Sequence, residues 1–139
     1  MSTLFIDSSI LIPSLLGGKP KLRGWQRFQR VVASVLIELQ CIRTLERWRL
    51  ANRIDDGALG AAREALSAQL DATALIQLSP IVLLRAKGAF STPVGSLDAL
   101  HLASAMLWQE TKNEILTFAT HDVELAVAAR SSGLRVIGV

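Results

Sequence analysis

The sequence holds a single cysteine, Cys41, so an internal disulfide cannot form and a zinc site built from paired cysteines is excluded. Such usage suits a reducing compartment. Charged residues are sparse, 19% against 50% apolar, which sets the chain apart from disordered sequences and leaves ample material for one buried core. Long apolar runs are missing too. Mean hydropathy is positive, yet Arg85, Lys87, Asp98 and Glu124 interrupt the longest stretches before the roughly 18 residues that a membrane helix needs. The start, Met1 to Asp7, carries neither a basic n-region nor a small-residue cleavage site, so no signal peptide is expected and the cytoplasm is the expected location. Repeats, low-complexity tracts and linkers are absent as well, and residues 1–139 are expected to form a single domain.

What is present is an alternation of strand and helix signals. Thr3 to Ile6 is a short β-rich run that stops at Asp7, and Ser8-Ser9 supply cap chemistry for an apolar segment, Ile10 to Leu16. Gly17 to Pro20 form a loop. Trp25 and Phe28, three apart, suggest a helical turn, and Val31 to Ala33 a brief extended piece. Ser34 caps a helix to about Asn52, with Leu36, Leu39, Ile42, Leu45 and Trp48 at helical spacing. Asp55-Asp56-Gly57 separate it from a second helix marked by Leu59, Ala62, Leu66 and Leu70, so the two form a helical hairpin. Ala74 to Leu78 read as a strand, and Ser79-Pro80 open a helix with proline at its first position. Ser96 caps a buried helix from Leu97 to Glu110. Glu114 to Ala119 form a strand, His121 to Ser131 a helix closed by Gly133, and Leu134 to Ile137 a last strand. This order predicts an α/β fold with a parallel sheet sandwiched by helices and a protruding helical hairpin.

Three carboxylates stand where this pattern expects strand ends or an apolar helix. Asp7 follows the first strand, Asp122 follows Ile115 to Ala119, and Asp98 lies in the first turn of the apolar helix. In an open parallel sheet the carboxyl ends of the strands border one crevice, where Asp7 and Asp122 converge. Taken singly, each is ordinarily a helix cap or a first-turn carboxylate that favours the helix dipole. Brought together, carboxylates repel unless a cation neutralises them, which points to a hard metal ion, Mg²⁺ or Mn²⁺. The net charge of +3 rests partly on Lys19, Lys21, Arg23, Arg27 and Arg30, followed by Arg43, Arg47, Arg49 and Arg53. Such a cluster is either a phosphate-binding surface or a set of solvated helix faces.

Phe5-Ile6-Asp7-Ser8-Ser9, Leu97-Asp98-Ala99-Leu100-His101-Leu102-Ala103 and Phe118-Ala119-Thr120-His121-Asp122 together resemble the PIN-domain ribonucleases of the VapC toxin type, in the right order and across the chain. The middle segment is the most specific. The resemblance implies a Mg²⁺-dependent endoribonuclease of a toxin-antitoxin module that cuts tRNA or rRNA, partnered by a VapB-type antitoxin and forming a homodimer. It implies that Asp7, Asp98 and Asp122 hold the metal, with Ser9 and Thr120 orienting carboxylates or waters and Arg43 and Arg47 meeting RNA phosphates. Ser9 and Thr120 are equally read as helix caps. His101, one turn from Asp98, is read either as a group reaching a phosphate or as a satisfied histidine of an apolar helix. Trp25, Phe28 and Trp48 are read either as a dimer face or as core.

One position departs from the family pattern. The family's second acid is a glutamate on the first helix of the hairpin, and here the matching register, Ser34, Leu36, Cys41 and Arg43, puts Gln40 there. Glu38 is no substitute, because two residues along a helix turn the side chain by about 200°. Glutamine keeps the shape but removes a charge, so metal binding and cleavage are expected to weaken. The incomplete set leaves a non-catalytic PIN-like protein that binds RNA or a partner as a second reading. A flavodoxin-like domain whose aspartates merely cap helices is a third.

Overall fold

The computed structural model describes residues 2–17, 22 and 24–139; Lys19, Lys21 and Arg23 of the basic cluster and most of the expected Gly17 to Pro20 loop lie outside them. In chain order the elements are β1 (Thr3–Ile6), α1 (Ser8–Leu15), a 3-10 turn (Trp25–Arg27), β2 (Arg30–Ser34), α2 (Leu36–Leu50), α3 (Asp56–Asp71), β3 (Ala74–Ile76), α4 (Pro80–Ala86), α5 (Ser96–Lys112), β4 (Leu116–Ala119), α6 (Val123–Ser131) and β5 (Arg135–Ile137). All strand pairs are parallel, in the order β3-β2-β1-β4-β5. The α/β class with a parallel sheet between helices is therefore as expected. The flavodoxin-like alternative is not met, since that fold orders its strands 2-1-3-4-5. No helix among the described residues is long and apolar enough to cross a membrane.

Strand parity explains the two layers. Leu4, Ile6, Ala33 and Ala119 face one side, where they join Ile10, Leu11 and Leu15 of α1, Ile37, Cys41 and Leu45 of α2, and Ala62 and Leu66 of α3. Phe5, Val32, Leu116 and Phe118 face the other, against Leu102 and Ala105 of α5 and Leu125, Ala128 and Ala129 of α6. The two central strands β1 and β4 are thus buried on both faces, which is why they carry no charged residue and do not alternate with exposed polar ones. Trp25 lies in the first core, and Phe28 and Trp48, partly buried, pack on it, which agrees with the core reading of these aromatics.

Four local expectations need correction. Ser34 ends β2, and the N-cap of α2 is Val35, although Ser34 Oγ accepts from Leu36 N at 3.2 Å. The buried stripe of α2 is Ile37, Cys41 and Leu45, while Leu39 is 56% exposed. An i, i+4, i+8 row faces the sheet, and Leu39 lies outside it. The N-cap of α5 is Gly95, with Ser96 as the first helical residue and no side-chain cap. Finally, β4 starts at Leu116 and not at Glu114, because its pairing with β1 begins at Thr3↔Leu116; the Glu114 carboxylate instead accepts from Thr3 Oγ1 at 2.7 Å and from Trp108 Nε1 at 3.1 Å.

Candidate acidic site

The switch point of this strand order lies between β1 and β4, and the crevice beyond their carboxyl ends is where ligands of open α/β sheets bind. The register Phe5↔Phe118 and Ile6↔Ala119 places Asp7 directly opposite Thr120. Asp7 is 4% exposed. Its Oδ1 accepts from Ser9 Oγ at 2.6 Å and from Ile10 N at 3.2 Å, the second bond capping α1; its Oδ2 accepts from Thr120 Oγ1 at 2.6 Å. Burial raises its pKa, opposed by these hydrogen bonds. Ser9 and Thr120 therefore orient a carboxylate. Ser9 Oγ also accepts from His121 N at 2.9 Å, and Thr120 Oγ1 from Asp122 N at 3.0 Å, so the two loops that leave the sheet are stitched together.

Asp122 caps α6, its Oδ1 accepting from Leu125 N at 3.1 Å. For Asp7 and Asp122 the capping role and the site position coincide. Asp98 differs. It lies in the first turn of α5, half-buried, and accepts no hydrogen bond from the described residues. Its pKa is pushed up to about 6, first by burial, then by the charges of Asp122 and Asp7. The fold thus brings Asp98 within electrostatic reach of both Asp122 and Asp7. The charge of Asp7 also reaches Cys41, whose thiol is pushed up to about 12 mainly by burial.

Gln40 and Glu38 point apart, as the helical spacing requires. Glu38 is exposed beside Ile42 and Arg63 on the outer side of the hairpin. Gln40 turns inward, where its Oε1 lies 2.5 Å from Nε2 of His101. His101 is wholly buried and edge-on to Phe5, so it is not placed to meet a phosphate. Arg43 and Arg47 are exposed on α2 and form no ion pair with the described residues, whereas Arg49 and Arg63 are both held by Glu46 and Arg30 lies over Trp108. The basic cluster therefore breaks up, and part of it is structural.

One participant had no role in the sequence reading. His121 ties Ser9 through its backbone, and its Nδ1 donates to the Gly138 carbonyl at 2.7 Å, drawing the end of the chain against the site. Gly138 sits at φ +101, and a Cβ there would meet Thr120 O at 2.5 Å, so only glycine fits. A backbone amide leaves no signal in a single sequence.

The donor set, three carboxylates and two hydroxyls, suits a hard cation. Among the described residues, no three His, Cys, Asp or Glu side chains gather tightly enough to hold an ion by themselves. Mg²⁺ asks less of the protein than a full ligand cage, since it keeps several of its waters and takes only one or two carboxylates directly. The unpaired Asp98, strained by its acidic neighbours, is the group a cation would relieve.

A stability test follows from the sign of the Asp98 shift. A carboxyl whose pKa is raised in the folded state adds stability below its ordinary pKa of 3.8, and loses it as pH rises through about 6. Asp98→Asn is therefore expected to stabilise the metal-free protein at pH 7.5 by about 1 kcal/mol after allowance for solvent screening, or about 3 °C in Tm, and to have little effect at pH 4. Melts at both pH values check this; equal effects at the two would show that Asp98 is not in a repulsive site.

No family model matches the chain, and no curated protein matches its sequence. In three dimensions it is similar to the crystal structure of PAE2754 from Pyrobaculum aerophilum, with a TM-score of 0.63 and 20% identity, over 97% of this chain and 83% of that one. This likeness bears on the fold.

Proposed function

We propose that this chain is a metal-dependent endoribonuclease of the PIN-domain, VapC-toxin type, weakened by Gln40 in the place of an acid. The observation that carries the reading is Asp98: a half-buried carboxylate without a described hydrogen-bond donor, its pKa raised by burial and then by the charges of Asp122 and Asp7, the two aspartates beyond the strand ends at the switch point of a parallel sheet. Asp7, Asp98 and Asp122 would hold Mg²⁺ or Mn²⁺ directly or through water. When bound, such an ion activates water and neutralises charge building on the scissile phosphate. Ser9 and Thr120 fix the Asp7 carboxylate in one orientation, so it is not free to swing toward its neighbours. Arg43 and Arg47 supply sequence-independent phosphate contacts, and the substrate class is tRNA or rRNA. The same reading carries a VapB-type antitoxin and a homodimer as partners.

The test is cleavage of structured RNA in the presence of Mg²⁺ or Mn²⁺. Cutting is expected to stop on chelation and to fall at least about tenfold in Asp98→Asn. Cutting that persists in EDTA would point to a contaminating nuclease or to another chemistry.

A second reading draws on a different observation. The Oε1 of Gln40, its one atom able to serve a metal or its waters, is already engaged by His101. A PIN-like protein that binds RNA or a partner without cutting fits that arrangement. It predicts RNA binding without cleavage, both with Gln40 and after its replacement by Glu.

A further inference from the structure

His101 is fully buried on α5, with its Nε2 on Gln40 and its Nδ1 buried without a partner among the described residues. Phe5 stands edge-on to the ring, at 6.2 Å and 74°. An N–H left without an acceptor in such a core costs more than a bare lone pair, so the ring proton belongs on Nε2. From there it donates to Oε1 of Gln40. Asp98 lies one turn earlier on the same helix, three residues away, where side chains are neighbours. One rigid turn of α5 therefore carries both the unpaired carboxylate and the donor that grips residue 40. Gln40 itself lies on α2, across the molecule in sequence, and no other hydrogen bond among the described residues holds its side chain.

We propose that His101 is the positioning residue for position 40. Its Nε2–H holds the side-chain oxygen of residue 40 in one place relative to Asp98, so that it acts on RNA cleavage through that side chain without touching RNA. The inference rests on the nuclease reading for its kinetic consequence and on the hydrogen bond alone for its structural one. The bond also serves a glutamate, because Nε2–H donates to a carboxylate oxygen as readily as to an amide oxygen. A chain with Glu at position 40 would keep the same geometry.

Two measurements separate these layers. In a Gln40→Glu background, His101→Met keeps the bulk of the side chain and removes the donor, whereas His101→Gln places an amide N–H near the position of Nε2. Expected is a fall in kcat of about tenfold or more for His101→Met with KM changed less than about twofold, and recovery of most of it in His101→Gln. Unchanged kcat in His101→Met, or no recovery in His101→Gln, overturns the proposal. In the unaltered chain, nitrogen NMR of the imidazole is expected to give a single tautomer protonated at Nε2, which Gln40→Leu turns into a mixture. Protonation at Nδ1, or a spectrum indifferent to Gln40→Leu, overturns it without reference to activity. An inactive Gln40→Glu chain with the expected spectrum sinks the nuclease reading and leaves the bond standing.

Discussion

Replacing Gln40 by Glu is expected to raise Mg²⁺-dependent RNA cleavage by about 10- to 100-fold, the range seen when a supporting group of a metal site is restored. The carboxylate would add a full charge beside three aspartates, one of which, Asp98, has its pKa pushed up to about 6 by burial first and then by the charges of Asp122 and Asp7. That charge draws a divalent cation more strongly, while the nearly isosteric side chain disturbs the packing little. Its neighbour is prepared for it: with Gln40 in place, burial holds the His101 pKa at about 4 and the neutral ring offers one N–H to residue 40, and a carboxylate there favours keeping that proton on Nε2. Initial rates on a structured RNA across a Mg²⁺ titration check the prediction. The apparent Mg²⁺ requirement should move to lower concentration along with the rise in rate. Identical curves for the two proteins would mean that position 40 is not part of the site, and that the register assigned from Ser34, Leu36, Cys41 and Arg43 is wrong.

The second large effect concerns stability. Phe118→Ala is expected to destabilise the protein by about 3–5 kcal/mol, a large part of the total stability of a domain this size. Phe118 and Phe5 are both fully buried and stack at 5.1 Å with their planes 10° apart. They are paired residues of β1 and β4, so the contact fixes the register of the two strands that present Asp7 and Thr120. Truncation leaves a cavity between the sheet and α5, which the close-packed surroundings fill only in part. Urea melts at constant m-value measure the loss. Phe118→Leu, which keeps most of the volume, should cost about 1–2 kcal/mol. A loss under 1 kcal/mol for the alanine variant would show that the second core layer is looser than its burial suggests.

Much of this architecture was legible because its signals are local. The β-rich run Thr3 to Ile6, the strand signal that ends at Ala119, the break at Asp55-Asp56-Gly57 and the Ser79-Pro80 opening each act over a few residues, and each marks an element or boundary the structure contains. The error at Leu39 has the same origin. Several apolar rows wind around α2, and only the direction of the sheet, a tertiary fact, selects Ile37, Cys41 and Leu45. For the site, residue types and strand ends were enough to single out Asp7, Asp98 and Asp122. They did not show that Asp7 and Asp122 cap helices while also facing the candidate site, or that Asp98 accepts no hydrogen bond from the described residues. Nor did they reveal the bond between His101 and Gln40, which joins residues 61 apart, or the backbone of His121 behind Ser9. Such contacts depend on how the helices lie across the sheet.

The pairing of Asp7 with Thr120 spans 113 residues. Asp7 leaves the ribosome well before Thr120, and closing so long a loop is slow compared with local structure. Until β4 docks beside β1, Asp7 lacks Thr120, its hydrogen-bond partner from the closing motif. The acidic cluster is therefore unassembled in the growing chain until β4 and α6 have been made and have docked.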